Sequence, residues 1–159
     1  MAAHPWVNVT IRPASFSDIP EILRQRRRMY EDMNYKDSAA LDAMSSLSSN
    51  YLEEAIPQGL FHAWLGYVNE RPVAGGAVLV TSWPAHPYDL ECRRATILNV
   101  YTDPLYRRRG IARLLMEAMI DWCKHEGFAR VNLHASDSGR HLYESLGFEP
   151  GNEMSLKMR

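Results

Sequence analysis

A chain of 159 residues is long enough to bury one sizeable core and short for a second, so a single domain over residues 1–159 is expected. Apolar residues at 46% and charged residues at 23% are ordinary globular proportions and argue against a disordered or fibrous class. Eighteen Lys and Arg against nineteen Asp and Glu leave a formal net charge of -1, which removes the electrostatic case for a general nucleic-acid binder.

Met1 to Val9 lacks a basic segment followed by an apolar run, so no export signal is expected. Val7, Val9 and Ile11 alternate with polar residues as a first strand, closed by Pro13. Ser15 or Ser17 then caps a helix in which Ile19, Ile22, Leu23, Met29, Tyr30 and Met33 recur at helical spacing and Glu21 complements the macrodipole; Asn34 ends it. A second helix is expected from about Ser38 to Ile56, before Pro57 and Gly59. Leu60 to Val68 and Val73 to Trp83 are β-rich runs joined by Asn69-Glu70-Arg71-Pro72, which predicts an antiparallel hairpin with a bulge at Gly75-Gly76. Its most apolar run, Val73 to Val80, is far too short to span a bilayer.

Beyond a Pro- and His-rich loop, a strand is expected over Ala95 to Thr102. A helix follows from Ile111 to Glu126, its polar stripe at Arg113, Glu117, Asp121 and Lys124, stopped by Gly127. Ala129 to Ala135 reads as another strand, Gly139 to Leu146 as a short helix ended by Gly147, and Met154, Leu156 and Met158 as a last alternating strand. The strand-helix-strand order near the end requires a parallel pair, giving a mixed α/β sheet. Cys92 and Cys123 are too few for a disulfide framework or a thiolate metal site, which fits a reducing, cytoplasmic setting and no metal.

Chemistry concentrates in Asn99-Val100-Tyr101-Thr102-Asp103-Pro104-Leu105-Tyr106-Arg107-Arg108-Arg109-Gly110-Ile111-Ala112: a strand, a Pro-bearing turn, an Arg-rich loop and a helix start. Free N–H groups at a helix N-terminus hydrogen-bond an anion without a dedicated side chain, and Gly110 allows close approach. Arg107-x-x-Gly110-x-Ala112 resembles the (Gln/Arg)-x-x-Gly-x-(Gly/Ala) signature of the GNAT superfamily of N-acetyltransferases. Leu142-Tyr143-Glu144-Ser145-Leu146-Gly147-Phe148 is similar to the Leu-Tyr-x-x-x-Gly-Phe segment of the same family. The specific resemblance covers about residues 95 to 148.

The resemblance implies a GNAT-like fold with splayed central parallel strands and acetyl-CoA as cosubstrate. Val100, Tyr101 and Thr102 would line the pantetheine arm, and Arg107, Arg108, Arg109, Gly110, Ile111 and Ala112 would surround the pyrophosphate. Ser136 and Arg140 would make further cofactor contacts, with Gly139 standing where relatives often carry Ala. Tyr143 would be the acid that protonates the departing thiolate, and an amine, small molecule or peptide, would be the acceptor. Where relatives often carry an acidic residue this chain has Asn99, which cannot take a proton, so the base is sought among His134, Glu91, Asp89, His86 and water. A CoA-binding sensor without turnover is the competing expectation, and a nucleic-acid module built on the two Arg triplets is disfavoured by charge. Arg26, seven residues from Ile19 and on the same helical face, either snorkels or meets an acidic acceptor. Homodimerisation through sheet edges or terminal strands is compatible with such a fold, though no interface is specified.

Overall fold

The computed structural model describes residues 8–159; Val7 lies outside them. Five strands form one sheet in the order β1 (Val9–Pro13), β2 (Phe61–Val68), β3 (Arg71–Ser82), β4 (Arg93–Thr102) and β5 (Val131–Leu133). Each of the first four is antiparallel to its neighbour, and β4 with β5 is the expected parallel pair. The β2–β3 connection is a two-residue turn in which Asn69 and Glu70 have φ of 48° and 64°. Both signs match the turn that follows the natural twist of a hairpin.

Helices α1 (Ile19–Asp32) and α2 (Ser38–Ala55) cover one face, where Ile19, Ile22, Leu52 and Ala55 pack on Phe61, Ala63 and Ala77. A short 3-10 turn at Phe16–Asp18 precedes α1, and the Ser15 amide donates to the Asp18 carboxylate at 2.7 Å. Asp37 caps α2 by accepting the Ala40 amide at 3.0 Å. Helix α3 (Ile111–His125) covers the opposite face through Ile111, Leu115, Met116, Met119 and Cys123, all buried against Val73, Val78 and Ile97. Gly75 and Gly76 make this double approach feasible. A Cβ on Gly75 would stand 2.2 Å from Gln25 of α1, and one on Gly76 would stand 2.7 Å from Met119 of α3.

Two expectations are corrected. The strand expected over Ala129 to Ala135 is only the three residues of β5, with short helix α4 (Arg140–Ser145) after it. The last expected strand is absent: Met154, Leu156 and Met158 are 94%, 83% and 82% exposed in an irregular segment. Alternation makes a strand only where a neighbour supplies hydrogen bonds and a surface to bury one face, and this segment has neither. Among the described residues no helix is long and apolar enough to cross a membrane.

Candidate functional site

The loop between β4 and α3 is fixed at its root by Asp103, whose amide donates to the Val73 carbonyl at 2.7 Å and whose buried carboxylate pairs with Arg24 at 3.2 Å. From there the chain makes a 3-10 turn over Pro104–Tyr106, and Arg108 and Gly110 both take the left-handed conformation, with φ of 63° and 80°. The amides of Arg108, Arg109, Gly110, Ile111, Ala112 and Arg113 donate to no acceptor among the described residues; the helical ladder starts with the Leu114 amide on the Gly110 carbonyl. Six consecutive free N–H groups at the positive end of a 15-residue helix form a concave anion site, suited to a diphosphate. No atom lies within 4 Å of where a Gly110 Cβ would stand, so the glycine meets a backbone requirement while the space above it stays open.

The three arginines divide their work. Arg107 turns inward: Nε donates to the Thr102 carbonyl at 2.8 Å, Nη2 pairs with Asp32 of α1, and the guanidinium lies 5.6 Å from the buried Tyr101 ring. Arg108 and Arg109 are exposed and have no carboxylate partner among the described residues, leaving their charge to the cradle. The Thr102 carbonyl is therefore already engaged by Arg107.

Upstream of the cradle the sheet opens. Strand β5 pairs with β4 only from Ala95 to Ile97, so β4 continues through Val100, Tyr101 and Thr102 paired with β3 alone, its other edge free of β5. At the departure point β4 holds one extra residue: Ala77 faces Leu98 and Gly75 faces Tyr101, so Gly76 stands opposite both Asn99 and Val100. The expected bulge is present, but its added residue is on the neighbouring strand. Asn99 adopts φ of 60°, and the strand's alternation resets there. Leu98 packs against the α1–α2 cluster and Asn99 meets Arg26 of α1, whereas Val100 packs on the α3 side.

Tyr143 on α4 is buried in the α3-side cluster, its ring centroid 6.1 Å from that of Phe148. Its hydroxyl makes no hydrogen bond among the described residues and is not closed off from solvent, while burial of the residue pushes its pKa above that of an ordinary phenol. The ring lies against Gly139, where a Cβ would stand 2.7 Å from Cε2 and 2.9 Å from the hydroxyl oxygen. Ser136 accepts the Gly139 amide on its side chain at 3.3 Å and the Arg140 amide on its carbonyl at 3.0 Å, so it organises the turn into α4. Arg140 is exposed at the start of that helix.

The proposed bases are scattered. Glu91 pairs with Arg93 at the start of β4, roughly 20 Å along the strand from Asn99. His86 and Asp89 bridge each other in the loop before it. His134 is exposed immediately after β5, beside the opening. Arg26, singled out in the sequence without a partner, donates from Nη1 to Asn99 Oδ1 at 2.5 Å; a neutral asparagine signals no such pairing in advance.

The chain matches the acetyltransferase (GNAT) family over residues 22–148, and it belongs to that family. Human N-acetyltransferase 8 is 26% identical over 118 residues, 72% of this chain and 48% of that protein. The [ribosomal protein bS18]-alanine N-acetyltransferase of Escherichia coli strain K12 is 39% identical over 66 residues, 40% of this chain and 43% of that one. The chain thus spans about half the length of the curated relatives it matches. Among solved structures, a GCN5-related N-acetyltransferase from Ralstonia eutropha JMP134 superposes with a TM-score of 0.87 at 32% identity, covering 95% of this chain and 99% of that one. A predicted acetyltransferase from Clostridium acetobutylicum, determined with acetyl-CoA, shares the fold with a TM-score of 0.85 at 24% identity over 96% of both chains.

Proposed function

We propose that this chain is a cytoplasmic single-domain N-acetyltransferase that moves the acetyl group of acetyl-CoA to a primary amine, of a small molecule or a peptide, by direct attack in a ternary complex. The observation that carries the reading is the run of six unpartnered amides at the start of α3, adjoining the stretch of β4 that runs without β5. That arrangement suits a ligand with a diphosphate at one end and an extended amide-bearing arm at the other. Val100 and Tyr101 supply backbone to the arm, Arg108 to Ala112 hold the diphosphate, and Arg107 holds the loop to α1. Ser136 shapes the turn into α4, and Arg140 supplies a cation near it.

The attacking amine must be neutral, although an amine with a pKa of about 10 is largely protonated near pH 7. Its nitrogen lone pair adds to the thioester carbonyl carbon, the carbon–sulfur bond breaks, and the sulfur leaves with the electron pair. Tyr143 donates its phenolic proton to that sulfur, and the proton released from the nitrogen passes to water, since Asn99 has no basic lone pair to offer. Burial raises the Tyr143 pKa and so keeps the phenol protonated through the neutral range. The competing reading, a CoA-binding sensor, is favoured only by the asparagine at position 99.

Calorimetric titration with acetyl-CoA, followed in the same preparation by thiol release across a panel of amines, amino acids and peptides, tests the proposal. Saturable binding with amine-dependent thiol release is expected. Binding without release from any amine would favour the sensor, and absence of binding would refute both.

A further inference from the structure

The first helix carries four arginines, and three are neutralised. Arg24 pairs with Glu21 at 2.7 Å and Asp103 at 3.2 Å, Arg27 with Glu31 at 3.0 Å and Asp42 at 2.7 Å, and Arg28 with Glu31 at 3.3 Å. Asp32 is taken by Arg107. Arg26 alone has no carboxylate among the described residues. Its one hydrogen bond goes to the neutral Asn99, its guanidinium lies 5.2 Å from the Tyr30 ring, and its Nε is the one buried side-chain polar atom without a partner among the described residues. A snorkelling arginine would lift its head into water. This one bends inward over the bulge with a donor shut away, which is unfavourable unless something else satisfies it.

A guanidinium does not shed its proton, so the positive charge persists at any assay pH. Asn99 adds a second donor. Because its Oδ1 faces Arg26, its Nδ2 is turned elsewhere, makes no hydrogen bond among the described residues, and is not closed off from solvent. The Arg26 guanidinium and the Asn99 amide N–H are two donors from adjoining side chains, which suits the two oxygens of a carboxylate. They lie on the α1 face of β4, one residue before Val100 enters the α3 face, where the strand has just parted from β5. An anion held there is close to the strand segment assigned to the acyl-bearing arm.

We infer that Arg26 and Asn99 recognise a carboxylate on the acceptor, so that the acetylated amine belongs to a small amino acid-like molecule with its carboxylate close to the nitrogen. This rests on the acetyltransferase reading above. It also gives Asn99 a role: an aspartate or glutamate at that position would neutralise Arg26 and repel the acceptor's anion.

The test compares free L-amino acids with their C-terminal amides and with monoamines that carry no carboxylate, as acceptors for wild-type protein, Arg26→Gln and Arg26→Lys. The amide's amine is less basic and so more deprotonated near neutral pH, meaning that chemistry alone favours the amide. Wild-type kcat/KM is expected to favour the acid over its amide by roughly 10- to 100-fold, the range of a charge-assisted hydrogen bond. The ratio should collapse towards one in Arg26→Gln and be partly restored in Arg26→Lys, which keeps the charge without the planar fork. Because the readout is a ratio within each variant, a general loss of folded protein does not alter it. An acid-to-amide ratio unchanged by Arg26→Gln would overturn the inference while leaving the acetyltransferase intact. A loss equal for acid and amide is that same unchanged ratio and would overturn it in the same way. Acetyl-CoA binding without thiol release from any acceptor, charged or neutral, would fell the acetyltransferase reading and this one with it.

Discussion

The phenol of Tyr143 combines burial with a hydroxyl free of protein partners, which is how a proton donor is kept charged with its proton and available. Replacing it with Phe should lower kcat by roughly a hundredfold, within the range of one general acid, and leave acetyl-CoA affinity nearly unchanged by calorimetry. The pH profile supplies a second check. A general acid fails as pH rises through its pKa, and burial moves that pKa up, so the descending limb of kcat should lie above about pH 10 and vanish in Tyr143→Phe. Undiminished turnover at saturating substrate would remove Tyr143 from the mechanism. The motif makes Tyr143 legible in sequence, but its contact with Gly139 is not: the missing methyl at position 139 gains meaning only once the ring is seen against it.

Among the elements, the loop into α3 owes its anion site to backbone conformation. A side chain at Gly110 must adopt φ near 80°, at a cost of about 1–2 kcal/mol, and a branched one fills the space above the free amides. Gly110→Val is expected to remain folded with a modest loss of stability and to weaken acetyl-CoA binding at least tenfold; a folded variant with wild-type affinity would count against the cradle. The β2–β3 turn makes the complementary point. Glu70 is held at φ of 64°, so Glu70→Gly should raise stability by up to about 1 kcal/mol, seen as a higher Tm. A lower Tm would show that the glutamate side chain contributes more than its backbone costs.

Hairpin, helices and parallel pair are legible in sequence because periodicity and turn chemistry are local. Two features are not. The extra residue of the bulge sits at Asn99, where the local clue is that asparagine tolerates left-handed backbone; the conspicuous Gly75-Gly76 lies across the sheet, where close helix packing demands it. The last strand fails for the opposite reason, since Met154, Leu156 and Met158 alternate without a partner to receive them.

At the scale of the molecule, one sheet separates two packed layers, and the two cysteines report on that division. Cys92 is exposed in the loop before β4, whereas Cys123 is sealed beneath α3, where burial pushes its thiol up to about 11. At pH 8 an alkylating reagent should therefore modify one thiol in the native protein and the second only after denaturation. Two rapidly modified thiols would mean that the α3 layer is open in solution. Both faces of the sheet converge at one place, the bulge of β4, where neighbouring residues Asn99 and Val100 point into opposite layers. A single strand thereby serves as a partition with two independent sides. If the proposed sites are right, changes on the α1 side would retune what is acetylated while the α3 side went on handling an invariant donor, so new acceptor preferences could evolve without dismantling the donor's seat.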